Sequence, residues 1–131
     1  MKRAIRTSQF DRDQGRRRVA TIQFKQRVWG AVEIETEKFN SEYTGLKRFE
    51  LRGPSDQTGF RLDNDATKLA VRAAWHDNGR IEFDNGEGGI EVHNYTYDRA
   101  AEQIRFEGIS DRDVAKHIVE AMKTMEGMPR Y

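Results

Sequence analysis

LAVRAAWHDNGRIEFDNGEGGIEVHNYTYDRAAEQIRFE, residues 69–107, is the stretch whose reading decides the fold. Leu69, Val71, Ala73 and Trp75 share one face of a period-two pattern; Asp77-Asn78-Gly79 follows; Ile81 and Phe83 then alternate with Arg80, Glu82 and Asp84. Alternating apolar residues on both sides of Asn-Gly predict a β-hairpin, because both turn residues tolerate the positive φ such turns require. Ile90, Val92, Asn94 and Thr96 then run up and Ile104 and Phe106 run back, with Asp98 to Glu102 as the connection. Between the two hairpins, Asn85, Gly86, Gly88 and Gly89 form a turn. The stretch therefore predicts a meander of at least four antiparallel strands.

Outward from it, the C-terminal side predicts one helix, Asp111 to Glu126. Ser110 is a natural N-cap with Asp113 three residues on. Val114, Ile118, Ala121, Met122 and Met125 recur at helical spacing, and Gly127 and Pro129 end the run. On the N-terminal side, residues 67–76 are read as strand because the Asn-Gly turn needs an arm there, although Asp63-Asn64-Asp65 would also cap a helix. Phe60 and Leu62 suggest a short strand. Leu46 to Arg52, with Phe49 and Leu51 on one face, suggests another, broken by Gly53-Pro54-Ser55-Asp56, and Phe39 to Thr44 is a connection.

Further back, Ala20, Ile22 and Phe24 alternate with Thr21, Gln23 and Lys25. Val28, Gly30, Val32 and Ile34 alternate with Trp29, Ala31, Glu33, Glu35 and Glu37. These read as two more strands, a third hairpin. Residues 1–17, polar and aperiodic, read as a basic flexible arm. The expected class is α+β: a mainly antiparallel meander of about six to eight strands, with one C-terminal helix packed on a face. The expected organisation is an arm over 1–17 and a single domain over 18–131.

A chain of 131 residues builds one core. Its 36% apolar and 34% charged residues make that core thin, such as one sheet covered on one side. No run approaches the roughly 18 apolar residues of a membrane span, and no apolar segment follows the basic start, so a cytoplasmic protein without membrane contact is expected. Cysteine is absent, which excludes disulfides, thiolate metal sites and a cysteine nucleophile. The formal net charge of +1 hides an asymmetry: residues 1–27 carry nine Lys/Arg against two Asp, and residues 28–131 carry fourteen against twenty Asp/Glu. A basic segment on an acidic body is the pattern of an arm that meets phosphate or an acidic surface, or that folds back on its own body.

Catalytic and cofactor motifs are missing. The glycines at 86, 88 and 89 lead into a strand, without the helix, lysine and hydroxyl that a phosphate loop requires. Ser41, Ser55 and Ser110 lie in no nucleophile context. His76, His93 and His117 have neither the spacing of a helical metal pair nor cysteine support, so no metal or other cofactor is expected. Glu33, Glu35 and Glu37 would line one face of a strand as an acidic row.

The pattern rated highest is Glu91, His93, Tyr95 and Tyr97, opposite the apolar face of strand 90–97. Rings at i, i+2 and i+4 stand about 7 Å apart, a spacing suited to stacking successive bases, with Arg72 and Arg105 as flanking cations. The competing reading is that the rings form a second core layer beneath the helix or a partner subunit.

The sequence therefore points to a non-enzymatic binding module for single-stranded nucleic acid or a nucleoprotein. Its contacts would be Arg3, Arg6, Arg12, Arg16, Arg17, Arg18, Arg72, His93, Tyr95, Tyr97 and Arg105. The alternative is a protein-interaction module, a small inhibitor or assembly subunit, using Trp29, Glu33, Glu35 and Glu37; a homo-oligomer is compatible with either. No motif identifies a family, and a meander with a terminal helix serves many functions.

Overall fold

The alternation at 69–107 becomes four consecutive strands of a six-stranded sheet. A computed structural model describes residues 2–42, 48–53 and 58–128, with the side chains of the first segment from Arg12 onward. In chain order the elements are helix α1 (Lys2–Glu42), strands β1 (Glu50–Arg52), β2 (Gly59–Asn64), β3 (Leu69–His76), β4 (Arg80–Asp84), β5 (Ile90–Asp98) and β6 (Gln103–Phe106), and helix α2 (Asp111–Met125). Every neighbouring pair is antiparallel and the spatial order is the sequence order. At the first hairpin Gly79 takes φ +88°, and its N–H donates to the His76 carbonyl at 3.2 Å. At the second turn Gly86, at φ +83°, lies so close to α2 that a Cβ would stand 2.3 Å from the Ala121 carbonyl oxygen. Only glycine fits there.

The α2 helix forms as its spacing predicts. Ser110 Oγ accepts from the Asp113 N–H, and Val114, Ile118, Ala121 and Met122 are buried. Pro129 and residues 54–56 lie outside the described residues, as do residues 43–47, which hold part of the expected 39–44 connection. Of the strand expected over 46–52, Glu50–Arg52 forms β1, with Phe49 buried just before it.

The principal correction is at the N-terminus. Where a flexible arm over 1–17 and a hairpin over 18–37 were expected, residues 2–42 form one helix of 41 residues. Ala20, Phe24, Val28, Val32, Thr36 and Phe39 are buried in one helical stripe of four-residue steps closing with a three-residue one, with Glu35 buried beside it. Those first four positions also satisfy a period of two, which is why the segment imitates strands. The residues that separate the two patterns are Ile22 and Ile34: a sheet would bury them, and here they are 45% and 64% exposed. The fold is α+β with six antiparallel strands and two helices rather than one.

Both helices cover the same face of the sheet. Arg27 on α1 donates to the Ile104 carbonyl of β6 at 2.7 Å. Near its other end, Asn40 donates to the Phe49 carbonyl at 2.9 Å and accepts from the Phe49 N–H at 3.0 Å. The long helix thus runs from one edge of the sheet to the other, with α2 beside it over the middle strands. The core is the layer between: Phe24, Val28, Val32, Leu62, Val71, Ile81, Phe83, Ile118 and Met122. The other sheet face carries Arg61, Arg72, Ala74, Val92 and Arg105 outward. Among the described residues, no helix is long and apolar enough to cross a membrane.

Candidate functional site

The aromatic row on β5 faces inward, as its competing reading held. Register decides this: Ile81 stands opposite His93, Phe83 opposite Glu91, Tyr95 opposite Phe106 and Tyr97 opposite Ile104, and those partners are all core residues. Tyr95 packs against Phe24 at 4.9 Å, Trp75 at 5.9 Å and Phe106 at 6.2 Å between ring centroids. Its hydroxyl donates to the His76 carbonyl at 3.3 Å, and burial, with the nearby Asp77 charge, raises its pKa above the usual tyrosine value. The expected apolar face, Ile90 and Val92, points to solvent instead, 64% and 44% exposed. Arg72 and Arg105 lie on that outer face, so they do not flank the rings; this corrects the expected arrangement. The row is no open platform of three rings: Phe24 and Arg17 of α1 lie against Tyr95 and Tyr97, and His117 of α2 lies against His93.

What remains accessible is the end of the row. Arg17, Thr21 and Lys25 on α1, the turn His76–Gly79 and the stretch Tyr95–Tyr97 enclose a cleft of about 510 Å³. The Arg17 guanidinium lies 5.7 Å from the Tyr97 ring centre, and the Lys25 ammonium 5.5 Å from that of Trp75. Cations over ring faces are attracted by the ring quadrupole. The alternation of residues 20–25 reads as strand and hides Thr21 and Lys25 as a pair; the four-residue spacing of Arg17, Thr21 and Lys25 is the signal that places them on one helix face.

Beyond the cleft, Arg12, Arg16, Arg17 and Arg18 are all exposed on α1. Arg16 pairs with Glu102 at 3.2 Å, and Arg99 with Asp13 at 3.1 Å, which ties this part of the helix to the β5–β6 turn. Arg3 and Arg6 belong to α1 but precede the described side chains. The acidic row does not exist as such. Glu33 and Glu37 are exposed one turn apart, whereas Glu35 is 8% exposed and faces Arg112 of α2 at 3.4 Å. Trp29 is half-buried, edge-on to Phe60 at 5.9 Å.

A second cluster joins elements that the sequence keeps apart. Glu91 and His93 project from β5 toward His117 on α2. Glu91 Oε2 lies 2.5 Å from His93 Nε2 and 2.6 Å from His117 Nδ1. Burial opposes ionisation of Glu91, but the hydrogen bonds from His93 and His117 outweigh it and hold its carboxyl below the usual glutamate value. The Glu-x-His pair on one strand face was legible as two donors; nothing in the sequence joins His117 to it.

No protein-family model, no curated protein and no solved structure matches the chain.

Proposed function

We propose that this protein is a non-enzymatic module that binds single-stranded nucleic acid along the exposed basic part of α1 and in the cleft at its foot. The observation that carries the reading is the cleft itself, where two α1 cations, Arg17 and Lys25, converge with the tyrosines at the end of the β5 row. Its volume suits a single nucleotide unit. In this reading Arg12, Arg17 and Arg18 take phosphates of a flexible strand, and one base enters against Tyr97 in place of, or above, the Arg17 guanidinium. Tyr95 supports the floor and does not stack bases, and His93 lies outside the cleft.

The test is fluorescence anisotropy with a labelled single-stranded oligonucleotide across a salt series. Log affinity should fall with log salt by about 0.7 per phosphate contact. Replacing Arg12, Arg17 and Arg18 with Gln should flatten that slope, while Arg72→Gln with Arg105→Gln, on the far face of the sheet, should leave it alone. Tyr97→Ala should cost about 1–3 kcal/mol at nearly unchanged slope. Absence of binding at low salt ends this reading. The protein-interaction alternative then stands, resting on Ile34, 64% exposed and set between Glu33 and Glu37 on α1.

A further inference from the structure

The cluster of Glu91, His93 and His117 lies on the α2 side of β5, and none of its three residues lines the cleft. Each residue offers one ligand atom, and the three atoms lie within 4.8 Å of one another. Two imidazole nitrogens and a carboxylate oxygen are the donor set of three-ligand zinc sites, whose fourth position stays open to water or another group. Imidazole also argues for a borderline transition ion over calcium or magnesium, which prefer oxygen ligands throughout. We propose that Glu91, His93 and His117 form a zinc site that joins β5 to α2.

The surroundings suit that assignment. Phe83 stacks on the His93 ring at 5.9 Å and Phe106 meets it edge-on at 6.3 Å, so the imidazole is held from both sides before any ion arrives. His117 stands on the solvent side, its side chain 47% exposed, which gives an ion an entry path and a free coordination position. Without an ion, both rings share one carboxylate oxygen through ring N–H groups. An ion takes the place of those two protons. Ligand atoms on a tetrahedral zinc at about 2.0–2.1 Å are roughly 3.4 Å apart, so each close pair must open by less than about 1 Å. The site links residues 26 positions apart in sequence, so zinc also fastens α2 to the fifth strand.

The chain has three histidines, and the third, His76, sits on the outer sheet face paired with Glu82, which makes it an internal control. The experiment uses untagged, chelator-treated full-length protein titrated with zinc by calorimetry, with native mass spectrometry for stoichiometry. One zinc per chain and a raised melting temperature are expected. Outer partners of zinc ligands are each worth about 10–100-fold in affinity, so loss of a ligand in His117→Ala should weaken binding at least about 100-fold. Glu91→Gln should do likewise, and His76→Ala should bind as wild type. His117 is half-exposed, so circular dichroism of His117→Ala should match wild type. Cobalt substitution should give the intense visible absorption of a tetrahedral site, lost in His117→Ala. The proposal is overturned if wild type takes up no zinc in the micromolar range, or if His117→Ala binds as well as wild type. Equal weakening by His76→Ala and His117→Ala overturns it too. Oligonucleotide binding is read on other residues, so either reading can fail alone.

Discussion

Glu82, on the outer sheet face, makes one contribution to acid sensitivity. Its carboxylate accepts from Arg80 Nε at 2.7 Å and lies 3.0 Å from His76 Nε2. The hydrogen bond from Arg80 is the main cause of a pKa below the ordinary glutamate value; partial burial opposes it and the His76 charge adds to it. A carboxyl with a lowered native pKa contributes stability in full above the unfolded-state value, and that contribution disappears as pH falls through the native value. Glu82→Gln should therefore be less stable than wild type near neutrality, with the two converging in acid. Urea midpoints at several pH values measure this, and a difference independent of pH would refute it. Phe24 illustrates the opposite face: fully buried against Trp75, Tyr95 and Phe106, it is the α1 residue that closes over the aromatic row.

At the scale of elements, α1 is where local pattern misleads. A helix stripe stepping by four contains every second member of a period-two strand pattern, so Ala20, Phe24, Val28 and Val32 fit both. Gly15 and Gly30 deepen the ambiguity, since each weakens a helix interior by about 1 kcal/mol relative to alanine. A Cβ at either would meet nothing within 4 Å. Gly30→Ala and Gly15→Ala should accordingly raise helix content and stabilise the protein by about 0.5–1 kcal/mol each, read from denaturant midpoints. Destabilisation by either variant would count against a continuous helix. On β5, the outward turn of Ile90 and Val92 has a different origin. The turn at 85–89 sets register so that Glu91 and His93 follow Phe83 and Ile81 into the core layer, and a one-residue difference in register exchanges the faces of a strand.

For the whole molecule, the consequence is that the N-terminal third is structural. Residues 1–42 include Ala20, Phe24, Val28, Val32 and Phe39, all buried against the sheet or α2. A chain beginning at residue 43 should lose cooperative unfolding and bind a hydrophobic dye, because the part of the sheet face under α1 becomes exposed. A sharp thermal transition in that truncated chain would show that α1 is an appendage. The charge asymmetry has the same ambivalence. Arg27 with Asp111 and Arg16 with Glu102 join the basic helix to the acidic body, so part of the charge that suggested an external partner is used internally. Exposed pairs of this kind contribute little stability singly; their effect is to orient α1 and leave Arg12 and Arg18 outward.

By itself the sequence determined the Asn-Gly and glycine-rich turns, the strands from Arg80 to Phe106 and the Ser110-capped α2, while residues 67–76 are readable as strand or as a helix capped by Asp63-Asn64-Asp65. In each case the signal is local: turn residues that permit positive φ, a side chain that caps an N–H, and apolar spacing with one interpretation. Tertiary structure decided the rest. Whether residues 18–37 form strands or helix, and which face of β5 is covered, depends on what packs against them. Neither helix propensity nor alternation contains that information. The pairing of Glu91 and His93 with His117 belongs to the same class, since only the packing of α2 against the sheet brings a histidine of the last helix onto a strand more than twenty residues earlier.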